Sequence, residues 1–419
     1  MDNVINPNIK FVEEVIHSYK ESLISISTAF EANKIILDIY TKEARNKYDL
    51  FCKPFISEED GVKRLRISTK DFPSYNRQKK RLDRNIIAQK IVPQSLLISL
   101  VSQFDNLVAG LVRSVYQIKP EKINSSESAI KYSELKNFSS IESVIDKFID
   151  DKIESILRES HDDQFAELEK LFDVRTLRDM DTWADFIEIT QRRNLLVHCN
   201  GKVSQQYIKK CSDAGCKYLA NKGENLNVDE DYFNKAFGVL YSVGVKLSQV
   251  MLRKFHLTEE ITQIDTILND IIYELILEGK YKIAIDLSEF ATKEAKHLNQ
   301  NDKLFFVLNK AQAYKWNNQP DKCRETLEKE DWTTTNDEFK LPYYTLNDDF
   351  DKAIASMKRL HQYGESEIYN SNSYKDWPIF SEIKKNKKFK VVFKEIFNED
   401  IDLEGIVKEE EVKDFAISA

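Results

Sequence analysis

The chain has 419 residues, a net charge of −8, 42% apolar and 32% charged residues, and only 10 glycines and 8 prolines. That length favours two or three domains, and the scarcity of Gly, Pro and strict alternation favours helices over sheets. Met1-Asp2-Asn3-Val4-Ile5-Asn6 lacks the basic and apolar blocks of a signal peptide, no apolar run reads as a membrane span, and five scattered cysteines suit a reducing cytoplasm.

Residues 4–50 are expected to be helical: Ile9, Val12, Ile16 and Tyr19, then Leu23, Ile26, Phe30, Ile35, Ile36 and Leu37, recur at three-to-four spacing. Residues 61–90 then carry Lys63, Arg64, Arg66, Lys70, Arg77, Lys79, Lys80, Arg81, Arg84 and Lys90 against Asp71 and Asp83. With Pro54 and Pro73 close by, this block reads as loop with short helical pieces. Its cations, with Phe72 and Tyr75 as stacking groups, suit a nucleic acid, and a solvated connector is the plainer alternative. Lys79, Lys80, Arg81 and Arg84 are its candidate RNA contacts. A long apolar helix is expected from Pro93, a good first-turn residue, through Leu97, Leu100, Phe104, Leu107 and Leu111 to a stop at Pro120. Further helices are expected at 141–158, 163–171, 181–198 and 232–254. The third starts at Asp181 or Thr182, turns Trp183, Phe186, Ile187, Thr190 and Leu195 inward, and ends at Asn200-Gly201, a left-handed stop.

Beyond about residue 260 one pattern recurs. A polar turn, an aromatic residue or proline, and a small residue three positions later occur at Tyr281–Ala284, Pro320–Cys323 and Phe350–Ala353. The spacings from Tyr281 to Pro320 and from Pro320 to Phe350, 39 and 30 residues, bracket the period of about 34 residues in tetratricopeptide repeats, which the region resembles. Generic helical hairpins would share the periodicity. The segment from Tyr374 through Trp377 and Phe380 to Phe397 reads as a terminal cap. The expected division is 1–85, an N-terminal helical extension with the basic segment; 86–257, a helical domain; 258–400, the repeats; and 401–419, an acidic, solvated tail.

The segment Arg192-Arg193-Asn194-Leu195-Leu196-Val197-His198-Cys199-Asn200-Gly201 carries recognisable chemistry. With 15 arginines and 6 histidines, an Arg four to six residues before a His is expected about 0.6 times by composition, so the spacing alone says little. The doubled arginine, the polar Asn194, the apolar triplet and the helix stop say more. Asn194 and His198 share a helical face, whereas Arg193 lies about 140° from His198. A straight helix therefore does not aim both squarely at one target, and a second such helix across a two-fold axis would narrow the gap.

This assembly resembles the HEPN superfamily, whose members carry an Arg, a polar residue and a His at this spacing. The helix holding Ser102-Gln103-Phe104-Asp105-Asn106-Leu107-Val108 resembles the family's earlier core helix, and the likeness spans roughly residues 90–255. The resemblance implies an all-α HEPN-type bundle, a homodimer with a composite active site, and RNA as substrate. His198 would act as general base or acid. Arg193 would hold the scissile phosphate, and Asn194 would orient the histidine or donate to phosphate. Arg192 is either a backbone-phosphate contact or a plain surface charge. Asp105 is either a supporting partner of the site or a solvated helix residue.

No cofactor is called for. Cys211 and Cys216 are the only close cysteine pair and lack neighbouring ligands for zinc. His17, His161, His256, His297 and His361 stand singly and read as surface or packed histidines. The expected function is a metal-independent endoribonuclease that leaves 2′,3′-cyclic phosphate and 5′-hydroxyl ends. It would be a toxin-like or anti-phage effector in the cytoplasm, governed by a partner or trigger at its repeats. The alternative is an inactive RNA- or protein-binding assembly module.

Overall fold

The computed structural model describes residues 6–59, 61–123, 132–217, 220–362, 366 and 368–401. The chain divides between Leu257 and Thr258 into two compact units. Apart from one two-stranded hairpin, the described residues form helices joined by turns. The acidic tail expected at 401–419 lies, Ile401 excepted, outside the described residues.

The first unit is built on two long antiparallel helices, α1 (Pro7–Cys52) and α2 (Phe72–Ile118). Asn6 caps α1, its side chain accepting from the Asn8 amide at 2.9 Å. Between them strands β1 (Ile56–Glu59) and β2 (Val62–Leu65) pair antiparallel. After them come α3 (Tyr132–Leu135), α4 (Ile141–Arg158), α5 (His161–Phe172), α6 (Trp183–Cys199), α7 (Gln205–Asp213) and α8 (Glu230–Phe255).

Three expectations change here. The basic block is not a loop: after the hairpin, α2 begins at Phe72 and runs unbroken through Pro93. Pro73 sits in the first turn, where no amide partner is needed. Pro93 removes one interior bond, and packing along α1 holds the helix together across it. Second, the N-terminal helical extension expected at 1–85 is not set apart from 86–257: both lie in the first unit. Ile9, Val12, Ile16 and Leu23 are fully buried or nearly so, and the Tyr19 hydroxyl donates to the Leu240 carbonyl at 2.7 Å. A Cβ on Gly110 would lie 2.6 Å from Val15 Cγ1, so α1 and α2 approach backbone to side chain at that level. Third, α2 is long and apolar enough by length and composition to cross a membrane. Its Leu97, Leu100, Val101, Phe104, Leu107, Val108 and Leu111 are core residues of the first unit.

The second unit consists of α9 (Ile261–Leu277), α10 (Tyr281–Lys293), α11 (Gln300–Trp316), α12 (Pro320–Leu327), α13 (Asp337–Leu346), α14 (Phe350–Leu360), α15 (Ser371–Asp376) and α16 (Lys387–Phe397). The first six form three consecutive hairpins. Each turns through one residue of positive φ, namely Gly279, Asn318 or Asp348. The small residues noted in the sequence, Ala284, Cys323 and Ala353, are buried where paired helices meet. Aromatic side chains of the last segment, including Tyr374, Phe380, Phe389 and Phe393, complete that core.

Candidate active site

The site is organised by α6, whose inner face carries the buried Phe186, Ile187, Ile189, Thr190 and Leu195. Phe186 packs on Phe104 of α2 (ring centroids 4.9 Å apart), and Trp183, half-buried, packs on Phe165 of α5 (4.9 Å). The helix ends where its sequence says it should. Asn200 adopts the left-handed conformation at φ 50°, and the Gly201 amide donates back to the Leu195 carbonyl at 3.0 Å. Gly201 has φ 77°, and a Cβ there would stand 3.0 Å from the Leu226 carbonyl. The last turn, which carries His198, is thereby tied to residues 221–226: Leu226 donates to Gly201 at 2.9 Å and Val203 to Glu224 at 2.9 Å.

Beside this turn lies a polar cavity of about 410 Å³, lined by Asp105, His161, Gln191, Arg193, Asn194 and His198 among others. Asp105 is its hub. One carboxylate oxygen lies 3.1 Å from His161 Nε2, and the other accepts from Arg193 Nη2 at 3.3 Å. Arg193 Nη1 also donates to the Asn194 side-chain oxygen at 3.1 Å, while its Nε is buried without a partner. His198 stands at the exposed end of the cavity. Asp105 is therefore not a solvated helix residue. His161, read from sequence as a lone surface or packed histidine, belongs to the site, held against Phe104 and Phe186. Nothing near it in sequence signals this, because Asp105 is 56 residues away.

Arg193 and His198 line one cavity within a single chain. The long Arg193 side chain reaches Asp105 of α2, and His198 lines the same cavity from the last turn of α6.

Arg192 differs from both sequence readings. Its Nε donates to Glu188 at 2.8 Å and its Nη1 to the Asn227 carbonyl at 2.9 Å, and its guanidinium lies 3.7 Å over the Tyr232 ring. Glu188 also accepts from the hydroxyls of Tyr207 and Tyr232, each at 2.7 Å. Burial, followed by the Glu188 carboxylate, pushes both phenols well above their ordinary range, so they stay donors. Arg192 is an internal brace joining α6, α7 and α8.

The structure does not bring Lys79, Lys80, Arg81 and Arg84 to the cavity. They lie exposed on α2, 21 or more residues before Asp105, which is about 32 Å along the helix. Among the described residues no cluster of His, Cys, Asp and Glu is arranged to hold a metal. Cys211 is buried, and the Cys216 thiol donates to the Ala184 carbonyl at 3.2 Å. No protein-family model matches the chain, and no curated protein or solved structure matches it significantly.

Proposed function

We propose that the chain is an RNA endonuclease of the HEPN kind. The observation that supports this best is the convergence of Arg193, Asn194 and His198 on one open cavity, with Asp105 and His161 behind the arginine. RNA supplies its own nucleophile. His198 takes the proton of a ribose 2′-hydroxyl, whose oxygen bonds to the adjacent phosphorus. The bond from phosphorus to the 5′ oxygen breaks, and that oxygen receives the proton, leaving a 2′,3′-cyclic phosphate and a 5′-hydroxyl. Arg193 neutralises charge growing on the phosphoryl oxygens, and Asn194 orients its guanidinium. The helical hairpins of the second unit, which we read as tetratricopeptide-like, would receive a protein trigger, as befits a toxin-like or antiviral effector in the cytoplasm.

One observation favours the alternative of a non-catalytic binding module: the Arg193 guanidinium already has acceptors in Asp105 and Asn194. The test is incubation of the purified chain with total RNA in excess EDTA. Cleavage with cyclic-phosphate ends, lost in His198→Ala and Arg193→Ala with folding intact, is the expected result. Absence of cleavage under every condition that preserves the fold, or equal cleavage by His198→Ala, sinks the catalytic reading.

A further inference from the structure

On the ribonuclease reading, on which this inference rests, His198 has two oxygens to serve. In an in-line displacement at phosphorus the 2′ oxygen enters on one side and the 5′ oxygen leaves on the other. A base that has taken the first proton stands on the wrong side for the second oxygen, which departs as a strongly basic alkoxide unless a proton reaches it. The cavity holds a second imidazole.

His161 opens α5 and lines the same cavity as Arg193 and His198. Its side chain is only 5% exposed, packed against Phe104 and Phe186. Its Nε2 lies 3.1 Å from the Asp105 carboxylate. An ionised carboxylate only accepts, so Nε2 carries a hydrogen and donates it. Nδ1 is then the atom that gains and loses a proton. It has no hydrogen-bond partner among the described residues, and it is not sealed off as Arg193 Nε is.

His297 of the second unit shows the contrasting case of a histidine used for packing. Its Nδ1 faces Asp265 at 2.8 Å and its Nε2 faces the Ala291 carbonyl at 2.7 Å, so both ring nitrogens are occupied. His161 has one nitrogen anchored and one left for the cavity. Asp105 accepts from Nε2 whether or not Nδ1 is protonated, so the ring keeps its place through a proton transfer. The other oxygen of the same carboxylate holds Arg193, which ties the phosphate-binding cation and the imidazole to one anchor.

We infer that His161 is the general acid of the cleavage. His198 takes the 2′-hydroxyl proton while the 2′ oxygen bonds to phosphorus. The bond from phosphorus to the 5′ oxygen breaks, its electron pair goes to that oxygen, and the oxygen takes the proton from His161 Nδ1. Solvent then removes the proton from His198 and returns one to His161.

Two substrates that differ at one atom test this. Once cleavage of total RNA has located a cut, a short RNA spanning it is made with either oxygen or sulfur at the departing 5′ position. A thiolate leaves without being protonated, so the sulfur RNA has no use for a general acid. His161→Gln keeps an N–H for Asp105 and has no proton to give. It should cleave the oxygen RNA roughly 100-fold more slowly than wild type, in kcat, and its deficit on the sulfur RNA should be smaller by about tenfold or more. His198→Ala should be slow on both. His161→Asn replaces the Gln variant if circular dichroism shows that the latter misfolds. A His161 variant equally slow on both substrates has lost structure rather than a proton donor, and that overturns the inference. So does one that cleaves the oxygen RNA like the wild type; in both cases the ribonuclease reading stands. A wild type that cuts no RNA removes that reading and this inference together.

Discussion

Asp105 does two jobs with one carboxylate, fixing His161 on one oxygen and Arg193 on the other. An arginine that must meet a phosphate gains from being held in place beforehand, because ordering a long side chain at the moment of binding costs entropy. Replacing Asp105 by Asn keeps the shape and removes the charge. We expect Asp105→Asn to lower RNA cleavage by about 10- to 100-fold, mostly in kcat, as the guanidinium loses its anchor. Stability should fall by about 1–2 kcal/mol, since both partners are only partly exposed. Equal cleavage by wild type and variant, measured on one defined RNA, would remove Asp105 from the site. Arg192 gives the opposite expectation. Arg192→Ala strips a cation from Glu188 and from the Tyr232 ring, so thermal unfolding should show a loss of about 2–3 kcal/mol. RNA affinity per folded molecule should hardly change. The sequence reading sets the two adjacent arginines apart but does not find the brace. One residue of helical rotation separates them by about 100°, sending one to the cavity and the other to the brace.

At the scale of elements, helix ends were the most legible feature and long-range partners the least. Asn200-Gly201 terminates α6 through local backbone conformation, which sequence encodes directly. The turns at Gly279, Asn318 and Asp348 are local in the same way. The course of α2 through the basic block was illegible. A dense run of like charges and a proline argue locally for a break, but only the positions of α2 that face α1 need to be buried, and Leu82 meets that requirement. Pro93 tests how far packing overrides local preference. Pro93→Ala restores an amide that can donate to the Gln89 carbonyl, and we expect it to stabilise the chain by about 1 kcal/mol or more in denaturant titration. A destabilised variant would mean that the proline bends α2 to fit its neighbours. His161 was invisible for a related reason: it joins the site only because α5 packs across α2 and α6, and periodicity does not encode crossings.

The whole molecule shares one electrostatic habit, carboxylates and phenols held in well-formed hydrogen bonds in both units. In the first unit the Lys170 ammonium holds the Glu167 carboxyl below its ordinary range, and in the second Arg359 does the same for Asp337. A carboxyl depressed in the folded state adds stability above its unfolded pKa and loses it as pH falls through the folded value. Acid should therefore weaken both units below about pH 4. At the alkaline end the sign reverses. Burial raises Tyr207 and Tyr232 in the first unit, and Tyr369 and Tyr374 in the second, well above the ordinary phenol range. The unfolded chain releases these protons near pH 10 and the folded chain holds them, so their stability is present below about pH 10 and lost as pH rises above it. These four phenols should then ionise only as their own unit opens. In an alkaline titration, phenolate absorbance should rise in a first phase from tyrosines elsewhere in the chain and in a second, from these four, that coincides with loss of helical circular dichroism. Tyr207→Phe and Tyr369→Phe should each diminish the second phase and leave the first intact. A single phase near pH 10 with the helices still folded would show that these hydroxyls reach water in the native state, and the brace around Glu188 would have to be redrawn.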